Sequence, residues 1–191
     1  MSNPSHIVVA HDFSATGEVV AERAIALACE SPQKVLHFLV IIDDRHGVAA
    51  VPVTGKVDFA YSERVQSELS QLLHRQFEAH HAPAEVHFFV HARIGKPAEE
   101  ILRLAGEVGA ELVMVGSHGL TGLERMVLGS VSERVVREAR CPVLVVRQRT
   151  YPDVALLDVK DNTHATHHAK PHRFSYQGRR VNTRPPDWPL I

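Results

Sequence analysis

The chain has little cysteine, little aromatic content, no long apolar run and no excess of either charge. Its only two cysteines, Cys29 and Cys141, exclude a disulfide framework and read as small buried apolar groups, as expected of a reducing compartment. The longest apolar run, Phe38 to Ile42, falls far short of the roughly 18 residues needed to span a bilayer. The amino-terminal "MSNPSHIVVAHD" lacks the basic segment of a secretion signal, so no membrane partner and a cytoplasmic location are expected. A formal net charge of −1 gives no global attraction to nucleic acid. At 191 residues the chain is long enough for one ordinary domain with a sizeable core and a short remainder.

Short β-branched and apolar runs occupy Ile7 to Ala10, Val35 to Ile42, Leu112 to Val115 and Val143 to Val146, with a less purely apolar one from Glu85 to Ile94. Continuous rather than alternating apolar character indicates strands covered on both faces, as in a parallel sheet. Helical patterns lie between them. Val20, Ala24 and Leu27 share one face, with Ser14 or Thr16 as the cap, and Tyr61, Val65, Leu69 and Leu72 repeat the stripe. Pro97, Glu99 and Glu100 mark a helix start and Gly109 its stop, while a last helix runs from about Ser130 to Ala139. The order β-α-β-α-β-α-β-α-β predicts a three-layer α/β/α, Rossmann-like domain with a doubly wound, five-stranded parallel sheet. Its ligand is expected outside the carboxyl ends of the strands.

Residues 1–149 form this expected domain. From residue 150 to 191 the character changes: five of the chain's eleven prolines and "HATHHAKPH" lie here, without strand or helix periodicity beyond "VALLDV". The segment reads as a tail, mobile or draped over the domain. His164, His167, His168 and His172 have spacings that a helix could turn into a metal-binding face, but Pro171 argues against that helix and no metal site is assigned. Arg179, Arg180 and Arg184 are read as solvated.

The stretch with most to explain is "GSHGLTGLERMVLGS". Its glycines at 116, 119, 122 and 129 interrupt an otherwise helix-favouring sequence at about 1 kcal/mol each, which suggests positive φ or a close approach to the backbone. A strand, a glycine-bearing loop and a helix N-terminus together make an anion site, and phosphate is its natural occupant. Ser130 and Ser132 would add hydroxyls in the first helical turn. On spacing alone, a strand-to-helix turn that binds nothing fits as well. A P-loop is excluded because Ser130 and Val131, not lysine, follow Gly129. The dinucleotide fingerprint is excluded because "AHDFSATG" follows the first strand. Asp43 and Asp44 therefore read as a loop start and not as ribose-binding acids.

The spacing Gly116, two residues, Gly119, nine residues, Gly129-Ser130 resembles the nucleotide-binding signature of the universal stress protein family, in its ATP-binding branch. "IVVAHDFSATG", "GKPAEEI", "GAELVMVGSHG" and "CPVLVVR" are similar to further parts of that family, over about residues 4 to 148. The resemblance implies a bound adenine nucleotide, ATP with Mg²⁺ or Mn²⁺. It implies that Ala10, His11 and Asp12 line the adenine side and that Ile41, or Val40 if the register slips by one, touches the base. Val115, Gly116, His118 and Gly119 would hold ribose and phosphate, and Gly129, Ser130, Val131 and Ser132 the rest of the phosphate chain. Asp12 can also cap the first helix, and an exposed His118 can simply be solvated.

The resemblance further implies a homodimer through Val143 to Val146. Where the family often has proline and a small residue, this chain has Ala10 and His11, so His11 is expected to narrow the base pocket. No general base is evident for the γ-phosphate, and Arg125 has no assigned direction, so slow hydrolysis at most is expected of a nucleotide-gated stress-response regulator. Two alternatives are a true ATP hydrolase or phosphotransferase, and a nucleotide-independent interaction module that uses the tail.

Overall fold

The computed structural model describes residues 4–118 and 128–148. The tail, its histidines, Gly119, Gly122 and Arg125 lie outside the described residues.

Nine elements follow in strict alternation: β1 (Ser5–His11), α1 (Ala15–Glu30), β2 (Lys34–Ile42), α2 (Phe59–Ala79), β3 (His87–Ile94), α3 (Pro97–Val108), β4 (Leu112–Gly116), α4 (Ser130–Glu138) and β5 (Val143–Val146). All strand pairs are parallel, in the order β3-β2-β1-β4-β5, so strands are added on one side of β1 up to β3 and on its other side from β4 onward. That switch opens a crevice at the carboxyl ends of β1 and β4.

The period-two alternation of strand side chains divides the core into two layers. Ile7, Val9, Phe38 and Val40 face α1 and α2, where they meet Val20, Ile25, Tyr61 and Leu69. Val8, Leu39, Val113 and Val115 face the other way, against Ile101, Leu104 and Val135 of α3 and α4. Each central strand is thus apolar on both faces, which is why its sequence reads as a continuous run.

The start and stop signals act as expected, with some shifts. Ser14, not Thr16 or Asp12, is the N-cap of α1, its side chain accepting from the Gly17 N–H at 3.0 Å. Asp12 acts one step back, accepting from the Ser14 N–H at 3.0 Å. α3 begins at Pro97 and ends on Gly109, whose φ of 61° is the left-handed conformation that favours glycine. In α2 the buried stripe is Tyr61, Val65, Leu69 and Leu73, because Leu73 continues the i+4 row and Leu72 sits at its border. β3 starts at His87 and not at Glu85, after the turn in which Val86 N–H donates to the Pro83 carbonyl at 3.1 Å.

Candidate functional site

A cavity of about 400 Å³ opens at the carboxyl ends of β1, β2 and β4, within the size range of small-molecule sites. Ala10, His11, Asp12, Ile41, Val115, Gly116, His118, Gly129, Ser130, Val131 and Ser132 all line it. These are the expected site residues other than Gly119, brought together from four separate stretches of chain. Val40, the alternative to Ile41, points into the opposite layer against α1 and α2 and is fully buried there.

Gly129 begins one wall. It is the N-cap of α4 with φ −74° and ψ 157°, an ordinary extended backbone, so positive φ is not what requires glycine here. A Cβ at Gly129 would sit at ordinary contact distance, 3.4 Å from the Ser117 carbonyl oxygen. The protein's own packing therefore leaves room at this position. Gly129 N–H donates to Ser117 O at 2.8 Å, and Glu133 N–H donates to Gly129 O at 2.9 Å. Between them the α4 N-terminus has no side-chain cap, and Ser130, Val131 and Ser132 line the cavity. Exposed first-turn N–H groups and the positive end of the helix dipole favour an anion at this wall. The Ser132 hydroxyl donates to the Gly129 carbonyl at 2.8 Å and shapes the turn, so the backbone and Ser130 are the donors left for a ligand.

Gly116 has a different reason to be glycine. A Cβ there would come within 2.8 Å of Thr16 Cγ2, so α1 can approach the end of β4 only because the side chain is missing. The neighbouring Ser117 hydroxyl and His118 Nδ1 lie 3.0 Å apart.

The opposite wall comes from the segment after β2. Asp43, Gly47, Val48 and Ala49 line the cavity, so Asp43, which starts the loop as read, also borders the cavity. Its Oδ1 accepts from the Arg45 and His46 N–H groups at 2.9 and 2.8 Å. The bond from the His46 amide, then that from Arg45, holds the carboxyl below its ordinary range and therefore ionised. Bridges Asp43 to Gly47 and Val48 to Val51 close the loop. Tyr61 of α2 pins it from beneath: its hydroxyl accepts from the Val48 N–H at 2.9 Å and donates to the Val51 carbonyl at 2.6 Å. A composition-based reading misses this wall because its signal is a long-range bond from a tyrosine that otherwise belongs to the core stripe.

His11 is 2% exposed. Its Nδ1 accepts from the Phe13 N–H at 3.1 Å, which places the proton of the neutral ring on Nε2. Nε2 has no partner in the described structure. Burial lowers the His11 pKa to about 4, with the Asp12 carboxylate pulling the other way. The ring therefore stays neutral at physiological pH and lines the cavity beside Gly17.

A depressed imidazole pKa favours the folded state only where the unfolded chain is also unprotonated. This contribution is full above pH 6.5 and is lost as pH falls from 6.5 toward about 4, at a cost of about 3 kcal/mol. The urea midpoint is expected to fall over that window, and to fall less in His11→Phe. An equal fall in both proteins would show that His11 does not titrate in this way.

The fold is a doubly wound α/β domain with a cavity at its central crevice. The family model described as the universal stress protein family matches residues 4–147. The chain belongs to the universal stress protein family. It is 33% identical over 144 residues to universal stress protein MJ0531 of Methanocaldococcus jannaschii, an alignment that covers 74% of this chain and 81% of that protein. Among solved structures it is similar to hypothetical protein MJ0577, with TM-score 0.57 and 26% identity, covering 78% of this chain and all of that one. It shares its fold with a universal stress protein crystallised in complex with cAMP, with TM-score 0.54 and 24% identity, over 76% of this chain and 98% of the other.

Proposed function

We propose that the cavity binds an adenine nucleotide, ATP foremost, and that the chain acts as a nucleotide-gated regulator in the stress response, with slow hydrolysis or none. The observation that carries this reading is the uncapped α4 N-terminus at one wall of the cavity, opposite the apolar Ile41 wall. A triphosphate is held by the backbone N–H groups of Ser130 and Val131 and by the Ser130 hydroxyl, with the bare Cα of Gly129 leaving room beside them, and the base lies toward Ile41 and Ala10. The cAMP complex of the fold neighbour is compatible with an adenine at such a crevice.

The walls near the phosphate end contain no lysine or arginine among the described residues, so the backbone supplies most of the positive potential. Mg²⁺ or Mn²⁺ arrives on the phosphates, since no group of three or more His, Cys, Asp or Glu among the described residues is placed to hold a metal. Oδ1 of Asp12 accepts from the Ser14 N–H, and Oδ1 of Asp43 from the Arg45 and His46 N–H groups, so both carboxylates help to hold the cavity walls. Calorimetric titration of ATP with Mg²⁺ into the full chain is expected to give micromolar affinity, about −8 kcal/mol. A folded protein that takes up no heat with ATP would contradict the proposal.

The proposal extends to a homodimer through β5. This strand is a sheet edge, and Leu144 on it and Val136 on α4 are 37% and 46% exposed. Sedimentation velocity is expected to show a dimer for the full chain and a monomer for Leu144→Lys. A wild-type monomer would remove the β5 interface from the account. No helix among the described residues is long and apolar enough to cross a membrane.

A further inference from the structure

Away from the cavity, three histidines form a hydrogen-bonded row across three adjacent strands. His6 Nδ1 of β1 lies 2.9 Å from His37 Nε2 of β2, and His37 Nδ1 lies 3.1 Å from His91 Nε2 of β3. The middle ring thus uses both nitrogens. His37 is 5% exposed and is stacked on Phe89, with ring centroids 5.1 Å apart and planes inclined by 12°. Helices α3 and α4 pack on Val8, Leu39, Val113 and Val115 of this sheet face, whereas Phe89, on edge strand β3, is 54% exposed. The middle ring is thus buried, the two outer rings are half-buried, and the β3 end of the row lies beside exposed Phe89.

A single metal ion does not explain it. Rings on successive strands follow the roughly 4.8 Å strand spacing, so His6 and His91 are about 10 Å apart and one ion reaches only two of the three. A count of protons explains it better. Each of the two bonds needs one hydrogen, and each outer nitrogen, His6 Nε2 and His91 Nδ1, can carry one more, so the intact row holds four. Three neutral imidazoles bring three hydrogens. One added proton fills the row with both bonds kept and can sit on any of the three rings by tautomer shifts. A second added proton has no place except inside a bond, where two N–H groups then oppose each other.

We propose that His6, His37 and His91 form an acid-sensitive latch across β1, β2 and β3, which carries one added proton intact and breaks on the second. The neighbouring charges fit such a device. Arg93, two residues after His91 on β3, is paired with Glu107 and Glu100 of α3, and Arg103 of α3 holds Glu100 at 3.1 Å. Beyond β1, Glu111 meets the Ser5 hydroxyl next to His6. The carboxylates on α3 are thus already matched by arginines, which leaves little net negative charge to stabilise a second imidazolium. Burial first, then the neighbouring histidines, lowers His37 to about 4, and burial followed by Arg93 lowers His91. Breaking the row frees Phe89 from its stacking partner and loosens edge strand β3 from β2.

The test is side-chain nitrogen NMR of the full chain, titrated from neutral to acid pH, with amide exchange followed in parallel. The expected result is a coupled set. The three rings take up one proton while β3 amides stay protected, and the remaining uptake lies below the ordinary histidine range and coincides with faster exchange in β3. In His37→Phe, His6 and His91 are expected to lose their coupling and to titrate independently of each other. His91→Phe serves if that variant does not fold, and should leave His6 and His37 as a two-ring pair without the acid-linked step in β3. Three independent titrations in the wild type, or midpoints and β3 exchange unchanged in the variants, would overturn the latch.

Discussion

Gly129→Val is expected to weaken ATP binding by at least about 100-fold, or about 2.7 kcal/mol, while leaving the fold intact. The backbone at Gly129 is extended, with φ −74°, so valine adopts it without strain. The first carbon of the new side chain fits, at 3.4 Å from Ser117 O and 3.7 Å from Ser132 Oγ. Its methyl groups then project past the start of α4, over the N–H groups proposed to meet the phosphates. Gly129→Ala is the control, since it adds only the carbon that fits and should cost much less affinity. Calorimetry on both variants, with thermal melts as a check of folding, separates a blocked site from a lost fold. Full ATP affinity in a folded Gly129→Val protein would place the phosphates elsewhere.

Tyr61→Ala is expected to destabilise the chain by about 3–5 kcal/mol, the usual cost of removing a buried aromatic ring, and to lower its melting temperature by about 10 °C. Tyr61 is 1% exposed. Its loss leaves a cavity against Val65 and the α1 layer, and takes the partner away from both the Val48 N–H and the Val51 carbonyl. Gly47, with φ +69°, packs so closely on the Tyr61 hydroxyl that a Cβ there would overlap it. The ring thus fixes the shape of the loop that walls the cavity beyond Ile41. Tyr61→Phe keeps the ring and removes the two bonds. It should cost about 1–3 kcal/mol and lower nucleotide affinity through a looser loop. Unchanged melting of Tyr61→Ala would show that the loop is held by other means.

The two predictions differ in how far they could be anticipated from the residues. The cavity wall at the start of α4 was legible as a strand, a glycine-bearing loop and a helix start, although spacing alone fitted an empty turn as well and the family resemblance was what pointed to phosphate. The reason for each glycine was not. Gly129 keeps ordinary dihedrals and open space, whereas Gly116 is required by the approach of Thr16. Both give the same letter in the sequence, and only packing separates them. Helix starts and stops at Ser14, Pro97 and Gly109 were legible because caps act within a few residues. The wall from Asp43 to Ala49 was not, since it depends on a tyrosine many residues later in the chain. The histidine row was equally hidden. His6, His37 and His91 share no spacing, and parallel register alone brings their rings together.

The central claim is that the crevice between β1 and β4 holds an adenine nucleotide with its phosphates on the α4 N-terminus. The most direct measurement is a crystal structure of the full chain grown with ATP and Mg²⁺. The account predicts density for the triphosphate within hydrogen-bonding distance of the Ser130 and Val131 N–H groups, packed against Gly129, and for the base against Ile41. Nucleotide bound elsewhere, or an empty crevice at saturating ATP, would contradict it.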